Sequence, residues 1–102
     1  MREKIIVMTI HELKILPEYF KAQKTGKKNF EIRKNDRDYK VGDKLVLKEY
    51  DPKTDSFTGQ SFVTEITYIT DYQQKEGYVV LGTKDLALDV YRRMSEMGLI
   101  RG

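Results

Sequence analysis

Apolar positions along the chain fall into short blocks separated by polar turns, and the spacing within each block predicts its element. Residues 4–15 are rich in Ile, Val, Met and Leu with Thr9, His11 and Lys14 interspersed, which favours one long strand, with room for a bend, over a helix. From Leu16 the spacing turns helical. Leu16, Tyr19, Phe20 and Gln23 recur at helical intervals, Pro17 sits where a first turn tolerates it, and lysines gather toward the end. A helix of about nine residues is marginal alone, so its Tyr19 and Phe20 face is expected to pack on the sheet. Gly26 is the natural stop, because it can take the left-handed conformation that closes a helix.

Residues 29–34 alternate, with Phe30 and Ile32 on one face and Asn29, Glu31 and Arg33 on the other, which is the period of a half-buried strand anchored by its apolar pair. Turn-forming residues follow at 35–38 and at Gly42-Asp43, and residues 44–50 supply a third strand built on Leu45, Val46 and Leu47. A polar hairpin loop at 51–56 leads into a long β-favouring segment, 57–70, in which Gly59 marks a bulge. A compact apolar strand at 77–82 makes the fifth. Residues 85–97 fit an amphipathic helix with Leu86, Val90, Met94 and Met97 on one stripe, Asp85 as its cap and Gly98 as its end. The expected fold is α+β: one domain over residues 1–102, a small mostly antiparallel barrel or curled sheet of about five strands, with one inserted and one C-terminal helix.

Composition narrows the chemistry. With 102 residues, 39% apolar and 34% charged, the chain has the balance of a globular domain able to bury one core without help from metal or disulfides. No cysteine and a single histidine leave too few ligands for a zinc centre, and Asp51 and Asp55 lack the alternating oxygen ligands and glycine of a calcium loop, so no metal is expected. No cofactor is expected either. The apolar run at 5–10 is short and no small-residue cleavage site follows it, which reads as a strand of a cytoplasmic protein, and no segment approaches membrane-spanning length. A net charge of +3 allows a polyanionic partner, and the cations are unevenly placed: residues 14–48 hold about twice as many Lys/Arg as Asp/Glu.

The stretch 24–37 concentrates the candidate chemistry. Glu31 and Arg33 share a strand face roughly 7 Å apart, with Lys28 just before them, a set able to hold a phosphate, a carboxylate or a polar base edge. The same residues also read as an ordinary solvated face with weak ion pairs. Lys28 and Glu31 are the candidates for a catalytic role, since a carboxylate beside cations can act as a general base. His11 and Lys14 are read either as cleft groups or as satisfied polar residues. Asp36 and Arg37 either line the cleft or make the turn. Tyr50 and Tyr78 offer rings on which a base could stack, or pack a core with the hydroxyl outward.

The pattern Gly26, Lys28, Glu31, Arg33 resembles the GxKxxExR signature of ASCH domains, a branch of the PUA-like superfamily. The resemblance extends over about residues 9–84, through His11-Glu12-Leu13-Lys14, Pro17-Glu18-Tyr19-Phe20, the 31–37 run, Gly42-Asp43, Glu49-Tyr50-Asp51, Thr58-Gly59 and Gly77-Tyr78-Val79-Val80-Leu81-Gly82, and is to a compact bacterial and phage subfamily of unassigned function. It implies a PUA-like β-barrel with a cleft beside the helix that precedes the signature. It further implies an RNA or nucleotide binder, and the residues read here as its ligand-binding set are His11, Lys14, Lys28, Glu31, Arg33, Asp36, Arg37 and Tyr50. Some small bacterial members of the ASCH family, of about this size, are amidohydrolases on N4-acetylcytidine, which sets the alternative of an enzyme acting on a modified nucleoside. In them a lysine at the Lys28 position assists, a threonine at the Glu31 position is the nucleophile, and a distant glutamate, for which Glu65 is the candidate here, is also required. Glu31 departs from that pattern, so the same mechanism does not carry over.

Overall fold

The computed structural model describes residues 9–87 and 94–98. In chain order it contains β1 (Ile10–Ile15), α1 (Pro17–Lys24), β2 (Phe30–Lys34), β3 (Lys44–Asp51), β4 (Ser56–Thr70) and β5 (Tyr78–Asp85). Residues 86–87 and 94–96 are helical, and the Asp85 carboxylate accepts the Ala87 N–H at 2.9 Å, the capping role its position predicts. The rest of the expected tail helix, and the part of the first strand expected at 4–8, lie outside the described residues.

The five strands form one sheet in the order β1-β3-β4-β5-β2, with β1 parallel to β3 and the other three pairs antiparallel. Although β1 and β2 are joined by α1, they become the two opposite edges. The edges are not far apart in space. Arg33 on β2 donates to the Lys14 carbonyl at 2.9 Å, and Arg37 just beyond β2 donates to the Glu12 carbonyl at 3.0 Å. A sheet whose two edges meet in this way is curled into most of a barrel, left open along a seam that side chains bridge. Alternate carbonyls of a strand face opposite neighbours, and Thr9 at the foot of β1 already accepts the Lys44 N–H of β3. The even-numbered carbonyls of Glu12 and Lys14 therefore face the open edge, where the two arginines satisfy them.

The inner face carries the core: Leu13 and Ile15 of β1, Leu45 and Leu47 of β3, Ile66 of β4, and Val79 and Leu81 of β5, closed at one end by Phe20 of α1. Phe20 meets Phe62 edge-on with ring centroids 5.1 Å apart. Tyr19, expected to pack beside Phe20, is instead 45% exposed, and Gln23 takes the second buried position of the helix. Phe20 and Gln23 are three apart and share a face, and Tyr19, about 100° from Phe20 and on the far side of Gln23, lies at the margin of that face.

Two local features depart from the sequence reading. The strand at β2 faces the other way: Glu31 is 2% exposed, while Phe30 and Ile32 are 39% and 53% exposed. Register decides this. Glu31 lies opposite Leu81 and Arg33 opposite Val79, and directly opposed residues share a face, so Glu31 must point where the core residues point. The second departure is the length of β5, which continues past Gly82 to Asp85 by pairing Thr83 with Ile66 and Lys84 with Glu65. Here β4 has one extra residue, Thr67, between the pairs Ile66–Thr83 and Tyr68–Gly82. A Cβ at Gly82 would lie 3.2 Å from Thr67 Oγ1 and 3.3 Å from Tyr68 Cβ, so the missing side chain lets the bulge cross its partner. The expected irregularity at Gly59 is also present, where Lys48–Ser61 and Tyr50–Phe57 frame a register shift.

The end of α1 follows the sequence closely. Gly26 has φ +77°, its N–H reaches the Gln23 carbonyl at 3.1 Å, and the Lys27 N–H reaches the Ala22 carbonyl at 2.9 Å, the paired bonds of a Schellman turn. Nothing lies within 4 Å of a Cβ added at Gly26, so a substitution there meets only the backbone penalty. Gly26→Ala is expected to lower stability by about 1 kcal/mol and Gly26→Asn by less, because asparagine tolerates this conformation, as read from urea denaturation midpoints.

Candidate functional site

The Schellman turn folds the chain back under α1, and the Lys28 N–H also bonds the Ala22 carbonyl at 3.0 Å. This returns Lys28 to the mouth of β2, three residues before Glu31. The Glu31 carboxylate then collects three donors. Its Oε2 accepts from Lys28 Nζ and from Gln23 Nε2 at 3.1 Å, and its Oε1 accepts from Arg33 at 2.6 Å. Gln23 is held in turn, since its amide also donates to the Phe30 carbonyl at 2.8 Å and its oxygen accepts from Thr83 at 3.3 Å.

Burial alone would push the Glu31 carboxyl up, but the hydrogen bonds from Lys28, Arg33 and Gln23 and the charge of Arg33 outweigh it, holding the group below the ordinary glutamate value of 4.5. Glu31 is thus an ionised anchor with about three of its four acceptor sites used. Lys28, by contrast, spends one of its three donors on Glu31 and keeps the others for the space in front of it.

That space is a cleft of about 460 Å³ along the open seam. Its floor is formed by residues whose side chains point inward, Ile15, Glu31 and Arg33, and its rims by residues that face outward on either edge, Lys14 and Leu16 on one side and Phe30 and Ile32 on the other. Tyr19 of α1 closes one end. Lys28 Nζ sits 4.8 Å from the Tyr19 ring centre and 5.3 Å from that of Phe30, a cation between two aromatic faces. A smaller compartment of about 230 Å³ adjoins it, sharing Lys14 and Arg33 and adding Leu13, Lys34, Asp36, Arg37 and Tyr39.

Of the residues singled out in the sequence, Lys14, Lys28, Glu31, Arg33, Asp36 and Arg37 come together along this seam. Tyr50 stands beside it, with Lys14 Nζ 4.0 Å from its ring centre, its hydroxyl bonded to Asp55, and Phe57 edge-on at 5.4 Å. His11 does not line the cleft. It is buried behind Tyr39, with ring centres 4.8 Å apart, and its Nε2 lies 2.8 Å from Asp43 Oδ2, which also accepts the Lys40 N–H and so fixes the 40–43 turn. Tyr78 packs near Lys75 on the outer face.

Glu65 cannot join Glu31. Its neighbours Thr64 and Ile66 are buried on the inner face, so its own side chain projects outward, where Lys44 and Lys84 bind it and hold its carboxyl below the ordinary value, the Lys44 hydrogen bond being the main cause. Sequence reasoning missed Tyr19 and Phe30, which it assigned to packing, and Gln23. The signal for Gln23 was present as a polar residue on the buried stripe of α1. Among the described residues, no cluster of three or more His, Cys, Asp or Glu is placed to hold a metal ion, and no helix is long and apolar enough to cross a membrane.

A family model described as "Domain of unknown function (DUF3850)" matches residues 10–83. The chain belongs to the DUF3850 family. The match covers nearly the same stretch as the motif resemblance and includes α1 and every residue lining the two compartments. A relative from Escherichia phage P2, the "Uncharacterized 12.9 kDa protein in GpA 3'region", is 42% identical over 73 residues, covering 71% of this chain and 65% of that protein. The DUF3850 chain therefore spans just under two thirds of the length of this curated relative.

A carboxyl whose folded pKa is depressed stabilises the protein above its unfolded pKa, and the contribution disappears as pH falls through the folded value. Glu31→Gln is expected to cost roughly 3 kcal/mol at neutral pH, because it leaves Lys28 and Arg33 half-buried without their counter-charge. The gap between the two proteins should narrow as pH drops below the ordinary 4.5 of glutamate. Urea titrations of both proteins across that range read it directly, and the comparison removes the parallel contribution of Glu65.

Proposed function

We propose that this DUF3850 domain binds a nucleotide or a short single-stranded RNA segment in the seam cleft, as an ASCH-like member of the PUA-like superfamily. The observation that carries this reading is the placement of the Lys28 ammonium between the exposed rings of Tyr19 and Phe30 at the mouth of a cleft of about 460 Å³. Such a volume falls in the range of roughly 300–1,000 Å³ common to small-molecule sites. Aromatic rims offer stacking to any base, and the cations beside them offer charge-assisted contacts to a base edge or phosphate. In this reading Glu31 positions Lys28 and Arg33 and does not itself take the ligand's hydrogen bond. The ASCH-like and PUA-like kinship is supported by the spacing of Gly26, Lys28, Glu31 and Arg33 together with a curled five-stranded sheet whose helix precedes that motif.

The alternative, an amidohydrolase acting on an acylated nucleoside, draws less support. Glu31 has most of its acceptor sites engaged and a lowered pKa, both unfavourable to a general base, and Glu65 lies on the other face of the sheet. Release of acetate from an acetylated cytidine, abolished by Lys28→Ala, would reverse this preference.

For the binding reading, labelled single-stranded RNA of a few nucleotides is expected to bind at low salt, with affinity falling steeply between about 50 and 200 mM. Amide shifts in an NMR titration should centre on Tyr19, Lys28, Phe30 and Arg33, and Lys28→Ala should weaken binding roughly ten-fold. No binding at low salt, or shifts that avoid these residues, would remove the assignment.

A further inference from the structure

The smaller compartment differs in character from the larger one. Four cations line it, Lys14, Arg33, Lys34 and Arg37, against the carboxylate of Asp36; the Arg33 charge is already matched by Glu31 at 2.6 Å, so three positive charges less one negative leave +2 around about 230 Å³. Its one aromatic, Tyr39, is already packed against His11. Arg37 uses one terminal nitrogen on the Glu12 carbonyl, and a guanidinium carries five N–H donors, so most of its donors are left over. Lys34 is exposed at the rim. The compartment adjoins the aromatic cleft, since Lys14 and Arg33 line both.

We propose that this compartment is a phosphate subsite, so that the ligand of the seam is a phosphorylated nucleoside with its base in the larger compartment and its phosphate group in the smaller. The inference rests on the nucleotide-binding reading above and adds to it the class of ligand and the residues that select it. The Arg37 guanidinium and the Lys34 ammonium, backed by Arg33, which Glu31 and the Lys14 carbonyl already engage, and by Lys14, whose Nζ lies 4.0 Å from the Tyr50 ring centre, suit a tetrahedral anion with several acceptor oxygens, whereas a planar carboxylate is served by a single guanidinium fork. The same chemistry is offered by a free nucleotide's phosphomonoester and by a strand's phosphodiester.

Isothermal titration of the full chain with the four ribonucleosides, their 5′- and 3′-monophosphates and the matching dinucleoside monophosphates tests this. The phosphorylated forms are expected to bind roughly ten-fold or more tightly than the nucleosides, a preference that added salt erodes. Preference for the dinucleoside monophosphates identifies a strand phosphodiester as the source, and preference for a nucleoside monophosphate identifies a free nucleotide. Lys34→Ala and Arg37→Ala should each reduce the ratio of nucleotide to nucleoside affinity. Lys34→Ala removes no side-chain hydrogen bond or ion pair found among the described residues, so its result stands even if loss of the Arg37 bond to Glu12 destabilises the other variant.

Nucleosides that bind as tightly as their phosphates would overturn the subsite and leave the binding reading intact. A ratio unchanged in Lys34→Ala and in folded Arg37→Ala would do the same. Absence of binding by nucleosides, nucleotides and RNA alike would overturn both.

Discussion

A single carboxylate taken out of water organises the seam of this protein. Glu31 sits on the inner face because its register with β5 leaves it no other direction, and a charge in that position is tolerated only when it is paired and hydrogen-bonded. Three side chains from different local structures answer that demand: Gln23 from α1, Lys28 from the turn that ends α1, and Arg33 from β2 itself. Each then acquires a fixed place it would not hold alone. Gln23 ties the helix to the Phe30 carbonyl and to Thr83, Lys28 is drawn between two aromatic rings, and Arg33 is aimed across the seam at β1.

The cleft follows from incomplete closure. A sixth strand between β1 and β2 would have filled the space with ladder hydrogen bonds. Two arginine side chains satisfy the free carbonyls of Glu12 and Lys14 instead, and they leave room for a ligand while contributing its charge. The wall chemistry also separates along the seam. Aromatic and aliphatic side chains crowd the end near α1, and cations crowd the end near the 35–38 turn. A ligand with one flat apolar part and one anionic part matches that gradient.

Much of this was legible in the chain. The five strands, α1, the Gly26 stop and the Asp85 cap follow from periodicity and turn chemistry, which are local. The clustering of Lys28, Glu31 and Arg33 was visible because period two puts the last two on one face. What periodicity could not supply was which face is inside. In β2 the apolar pair Phe30 and Ile32 would conventionally mark the core, yet pairing with β5 buries the charged face, and pairing partners distant in sequence are not encoded in a five-residue pattern. For the same reason Tyr19 and Phe30 were assigned to packing when they rim the cleft, and Glu65 was a candidate partner for Glu31 until the sheet placed them on opposite faces. His11 shows the converse: its ring is absorbed by Asp43 and Tyr39, a use of histidine that leaves no sequence mark.

The arginine bridges carry one more consequence. An open sheet presents two rows of unpaired backbone groups, and such rows template the addition of strands from other molecules, the route by which β proteins assemble into aggregates. Here the two rows are turned toward each other, and the carbonyls of Glu12 and Lys14 are occupied by charged side chains that an incoming strand would have to displace. The seam is therefore guarded against the polymerisation that its lack of closure would otherwise invite, and Arg33 and Arg37 act as sentries for an opening that a fully closed barrel would not possess.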